Sequence, residues 1–287
     1  MLVNGCDCSI VIKTSHCEKN IPFVDETLRE AVSLMEENAA IEGGGNCKAI
    51  RKNSGVVGCV VTTLTLKTTP LLFYLAFGSA GKPVFISETR NLYQYCINLL
   101  PMEDTESFDL IQDRGTERKL FEACKVNGFE LRIVREESIM LKLEICGERS
   151  PAKYPYTDIF EREQEEYFNG DFASYKINGK EYKNIYGVTL ASKKEGSTKT
   201  ELWIKRELEQ GSDLPEIIEE MTITAKLLRD NYEYRYFGMF RITLNRLLLV
   251  SDITQINTAD AVIGPLRYYV SGNVATKVFT SGEEVFI

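Results

Sequence analysis

Along most of the chain, apolar and polar residues alternate with a period of two, and Gly and Asn punctuate the runs. Between Gly128 and Gly147, Phe129, Leu131 and Ile133 share one face, with Glu130 and Arg132 on the other; Ile139, Leu141, Leu143 and Ile145 repeat the arrangement. The intervening Arg135-Glu136-Glu137-Ser138 reads as a polar turn, so this stretch predicts a β-hairpin with one buried face. A second hairpin is predicted over 187–207, with Val188 and Leu190 rising to the turn 193–197 and Leu202 and Ile204 returning. Further strands are expected at 221–228, 232–237, 240–250, 266–270 and 274–279.

Helical windows are few. The clearest follows a strand over 55–65: Thr69 is placed to cap, Pro70 suits the first helical position, Leu71, Leu72, Phe73, Leu75 and Ala76 are apolar, and Gly78 ends it. A short, mostly buried helix over 69–78 is predicted. Residues 25–40 have helical propensity without a settled period, so helix and strand both stand. A short acidic helical turn is expected at 214–220 with Asp213 as its cap. The heptapeptides Lys125-Val126-Asn127-Gly128-Phe129-Glu130-Leu131 and Lys176-Ile177-Asn178-Gly179-Lys180-Glu181-Tyr182 echo each other, a weak hint of two similar lobes. The fold class expected is mainly β (α+β), two packed antiparallel β-sheets beside a short helix. Residues 1–150 would form an N-terminal lobe and 151–287 a C-terminal lobe, or the chain is one continuous domain.

The 287 residues, 44% hydrophobic and 26% charged, suffice for a large core without staples. No apolar run is long enough to span a bilayer. Leu2 to Cys6 imitate the end of a lipoprotein signal but lack the charged and apolar regions that precede one, so no membrane anchor is expected. The eight cysteines are scattered, mostly in apolar stretches, and read as reduced thiols in a cytoplasm. The net charge of −8 opposes a protein that grips nucleic acid by neutralising phosphates.

The search for chemistry excludes most classes. One histidine, His16, removes Ser/His/Asp triads and histidine-rich metal sites. Cys6, Cys8, His16 and Cys17 offer four potential zinc ligands, but not at the spacing of a zinc knuckle. Gly43-Gly44-Gly45-Asn46 lacks the Lys-Ser or Lys-Thr of a phosphate-binding loop. No catalytic residue, cofactor site or metal site is expected, and the chain reads as no enzyme.

The irregular stretch 148–178 carries Pro151, Pro155, four tyrosines and an acidic run, a composition that suits a contact loop or a solvated connection. Its Tyr154, Tyr156, Phe160, Glu161, Glu163 and Tyr167 are candidate contacts between subunits. Trp203 falls on the face opposite Leu202 and Ile204, either in a second buried layer or against a neighbour, and Tyr232 and Tyr234 belong to an aromatic strand with the same two readings.

The order of these cues resembles a known family. The strand ending Gly55-Val56-Val57-Gly58-Cys59, the polar run 62–68, the helix Pro70-Leu71-Leu72-Phe73-Tyr74-Leu75-Ala76-Phe77-Gly78, Asn91-Leu92-Tyr93-Gln94-Tyr95, Ser107-Phe108-Asp109-Leu110, Phe121-Glu122-Ala123-Cys124-Lys125-Val126-Asn127-Gly128-Phe129 and Ile177-Asn178-Gly179 follow in the order seen in the tail tube (major tail) proteins of long-tailed, siphovirus-type bacteriophages. Their tube fold is shared with the type VI secretion tube. The resemblance covers about residues 25–287; the cysteine-rich segment before Asn20 has no counterpart, and Tyr93-Gln94-Tyr95 lacks the family's usual histidine. It implies a structural virion protein, made in a host cytoplasm, whose partners are copies of itself and other tail proteins. Six subunits, or three two-lobed ones, would close a ring; stacked rings would form a hollow conduit through which DNA passes without specific binding, and 148–178 would carry ring-to-ring contacts. The alternative from another class is a β-rich ligand- or peptide-binding module, monomeric or dimeric, with an aromatic strand face.

Overall fold

The computed structural model describes residues 8–15, 17–36, 49–80, 84–87, 92–99, 105–147, 151–155, 167–195, 199–210, 214–215, 217–228, 236–248, 253–256 and 261–269. The protein is mainly β, two antiparallel sheets and one α-helix. In chain order the strands are β1 (Ser9–Lys13), β2 (Glu18–Ile21), β3 (Phe23–Glu26), β4 (Arg29–Glu36) and β5 (Ala49–Thr63), then helix α1 (Thr69–Phe77). There follow β6 (Gly78–Ala80), β7 (Val84–Ser87), β8 (Leu92–Leu99), β9 (Phe108–Asp113), β10 (Arg118–Val134), β11 (Met140–Gly147) and β12 (Ala152–Lys153). The remainder are β13 (Ala173–Ile177), β14 (Lys180–Tyr182), β15 (Ile185–Glu195), β16 (Lys199–Leu208), β17 (Ile217–Leu228), β18 (Tyr236–Leu248), β19 (Ile253–Ile256) and β20 (Ala261–Tyr269).

The first sheet runs β19-β16-β15-β10-β11-β5-β3, with β4 also on β5 and β9, β12, β1 and β2 attached through β10. The second runs β14-β13-β17-β18-β20-β8-β6, with β7 also on β8. Each sheet therefore draws strands from both sides of residue 150. Strand β10 is the hub of the first sheet because it is long enough to serve two sets of partners: 118–124 meet β9 and β12, while 128–134 lie between β11 and β15. It changes direction at Ala123, whose φ of 51° is held by its N–H donating to Asp109 Oδ1 at 2.9 Å.

Both expected hairpins form, as β10–β11 and β15–β16, and Leu131, Ile133, Leu141, Leu143, Val188, Leu190 and Ile204 are all buried on the inner face. In the second hairpin the strands run on to Glu195 and from Lys199, past the expected turn start at Lys193. The expected strands at 232–237 and 240–250 are one strand, β18, over the residues described. The expected strand at 274–279 lies outside the described residues.

Helix α1 forms where expected, and its apolar surface extends all round, as a helix enclosed by other elements requires. Phe77 meets Phe129 of the first sheet edge to face at 4.5 Å, and Phe73 meets Phe240 of the second at 5.1 Å. The helix thus wedges the two sheets into one hydrophobic core rather than lying beside them. The capping acceptor is Thr65, not Thr69: Thr65 Oγ1 accepts from the Thr68 N–H at 3.1 Å, and the Thr69 hydroxyl donates back to the Thr65 carbonyl.

Local propensity gives way to pairing in two places. Within 25–40, residues 29–36 form β4 against β5 instead of a helix. The expected helical turn at 214–220 is replaced from Ile217 onward by β17, paired with β18 from Ile217↔Leu248; Asp213 lies outside the described residues. The Asn-Gly echo is not structural. Asn178 and Gly179, both at positive φ (48° and 79°), make the two-residue turn between β13 and β14, whereas Asn127-Gly128 sits inside β10 at a bulge against β11.

Candidate assembly surface

The inner faces of both sheets are spent on the core, so capacity for further contact lies at strand borders and strand ends. Strand β5 is flanked by β4 and β3 on one side, but β11 reaches it only from Val56 to Thr63 on the other. Residues 49–55 therefore pair with β4 alone among the described residues and extend as a two-stranded arm past the end of β11. Seven residues of strand border span about 23 Å at the usual rise. A two-stranded ribbon is marginal in water by itself, and a backbone border of that length is a template for another strand. The opposite margin of this sheet is the four-residue β19. The second sheet ends instead in short pieces: β14 has three residues, with Lys180 and Glu181 exposed, a border blunted by length and charge.

The other end of the first sheet is built around the turn at 134–138. Glu137 N–H donates to the Val134 carbonyl, and Glu136 takes φ 66°. A strap, residues 167–172, closes over this turn. The Phe168 N–H donates to the Leu64 carbonyl (2.8 Å), Ile139 N–H to the Phe168 carbonyl (2.9 Å), Gly170 N–H to the Glu137 carbonyl (2.9 Å) and Glu136 N–H to Asp171 Oδ1 (2.7 Å). Phe168 enters the core against Phe240 at 5.3 Å, which anchors the strap from beneath. Three large side chains around this turn remain in solvent: Tyr167 at 48%, Phe172 at 43% and Tyr186 at 36% exposure. Tyr186 accepts the Arg135 N–H at its carbonyl, Phe172 follows Asp171, and Tyr167 precedes the strap's pairing of Asn169 with Ser138 by two residues.

Of the candidates named from sequence, Tyr154 is half-buried beside β12, its N–H donating to the Arg118 carbonyl at 3.0 Å. Tyr167 is exposed in the strap. Trp203 is half-buried on β16, opposite Ala191 and Gln255, while its neighbour Ile204 is fully buried on the other face. Tyr156, Phe160, Glu161, Glu163, Tyr232 and Tyr234 lie outside the described residues. Sequence reasoning missed Phe172 and Tyr186. The signal for Tyr186 was present, since it alternates with buried Ile185 and Val188 across Gly187; nothing in the local pattern marks Phe172.

The reactive groups that are described serve structure. Burial, then Asp109 and Cys146, push the Cys124 thiol up to about 12, and burial raises Cys17, so both stay protonated at neutral pH. Burial and the hydrogen bond to Glu106 raise the Tyr74 phenol well above its ordinary value. Glu26 accepts from Arg114 Nε and Nη2 (2.9 and 2.7 Å), Gln112 Nε2 (2.7 Å) and the Leu28 N–H (2.9 Å), which joins β3 to β9. Arg118 and Asp113, each 8% exposed, pair at 2.7 Å across the β9–β10 turn, and Arg118 Nη1 also donates to the Pro155 carbonyl. Among the described residues no group of three His, Cys, Asp or Glu side chains is placed to hold a metal ion, none of Cys8, Cys17, Cys59, Cys124 and Cys146 is in a disulfide, and no helix is long and apolar enough to cross a membrane. Of the four residues considered as zinc ligands, Cys6 and His16 lie outside the described residues.

No protein-family model matches the chain, and no curated protein matches its sequence.

Proposed function

We propose that this chain is a structural subunit of a phage or prophage tail tube, which associates with copies of itself into rings that stack around a conduit for DNA. The observation that carries the reading is the border of β5 at 49–55 on the β11 side, which no strand among the described residues pairs and whose backbone donors and acceptors a strand of another copy would satisfy. Two features support it. The margins of the first sheet along this path are unlike, the four-residue β19 at one and β3 with β4 at the other, and unlike margins join head to tail into closed rings. The net charge of −8 suits a wall along which phosphates slide without displacing their counterions. The chain would act by assembly, without catalysis and without a cofactor.

Negative-stain electron microscopy of concentrated protein, with sedimentation velocity across a hundredfold concentration range, tests this. Rings of six subunits, or of three two-lobed ones, and stacks of rings are expected. A single species of monomer mass at every concentration, with no rings or tubes on the grid, refutes it and leaves the peptide-binding module in its place.

A further inference from the structure

We draw no further inference here: the strongest candidate, the patch of exposed rings that Tyr167, Phe172 and Tyr186 form around the 134–138 turn at one end of the first sheet, carries none, because nothing in the structure shows what covers it.

Discussion

Replacing Gly170 by Ala should be among the most damaging single-methyl changes in this protein. A Cβ at this position would lie 1.9 Å from the Val134 carbonyl oxygen and 2.6 Å from its carbon, and both are backbone atoms that cannot rotate away. Reaching ordinary contact at 3.4 Å would require strap and turn to part by the difference, 1.5 Å. The Gly170–Glu137 hydrogen bond of 2.9 Å cannot survive such a movement, and the Glu136–Asp171 and Ile139–Phe168 bonds on either side of it are strained with it. Overpacking costs about 1–3 kcal/mol, and each hydrogen bond lost adds about 1 kcal/mol, so a loss of roughly 3–5 kcal/mol is expected. Against a typical total stability of about 5–15 kcal/mol this is a large fraction. Urea denaturation followed by circular dichroism measures it as a lowered midpoint at unchanged slope. Gly179→Ala is the control: its Cβ would meet nothing within 4 Å, so only the φ of 79° opposes it, at a cost of about 1–2 kcal/mol. Equal midpoints for Gly170→Ala and wild type, or a larger loss for Gly179→Ala, would refute the steric account.

Other outcomes follow from the same structure. Arg118→Met leaves the Asp113 carboxylate buried without its guanidinium and should cost about 3–5 kcal/mol, read as a lower urea midpoint, while Lys13→Met, removing an exposed pair with Glu18, should cost under about 1 kcal/mol. Because the Cys124 thiol is raised from 9.0 to about 12 in the folded state, the unfolded chain loses its proton first; stability is full below pH 9 and falls by up to about 1.4 kcal/mol per unit between pH 9 and 12. Cys124→Ala should flatten that part of the stability profile, whatever it does to stability at pH 7. Phe77→Ala removes the ring that joins α1 to Phe129 and should destabilise by about 3–5 kcal/mol, measured by the same denaturation.

The hairpins at 128–147 and 187–207 were legible because alternation with one buried face is a local property; Leu131, Leu141, Leu190 and Ile204 identify their inner faces before any partner is known. Helix α1 was legible because Pro70 and Gly78 bracket an apolar run. Partner choice was not legible, since period two says which face is buried and not which strand lies alongside. The pairing of β8 with β20 joins Tyr95 to Leu266 with no local signal. Propensity misled at 214–220, where the acidic start of β17 favours helix in isolation but is held by its long neighbour β18; the segment 25–40, left open between helix and strand, is settled over 29–36 by pairing with β5. Of the candidate surface, the aromatic residues of an irregular stretch could be named from the sequence, Tyr167 among them, but the exposure of Phe172 could not, because it depends on a strap whose course is set by Gly170 and Phe168.

The wedge formed by Phe73 and Phe77 bears directly on how such a chain could work. With Phe129 below and Phe240 above, the two aromatic contacts of α1 tie both sheets to one helix, so a force applied to a strand border of either sheet is passed into a shared core. A close-packed body of this kind suits an assembling subunit, which needs a frame that does not yield and margins that remain unsatisfied until a neighbour arrives. The β4–β5 arm supplies such a margin. Among the described residues no strand lies along that border beyond Gly147, whereas Val56 to Thr63 pair with β11 on one side and in part with β3 and β4 on the other. Shortening the arm should therefore impair association far more than folding, a separation that a ligand-binding role for the same residues would not produce.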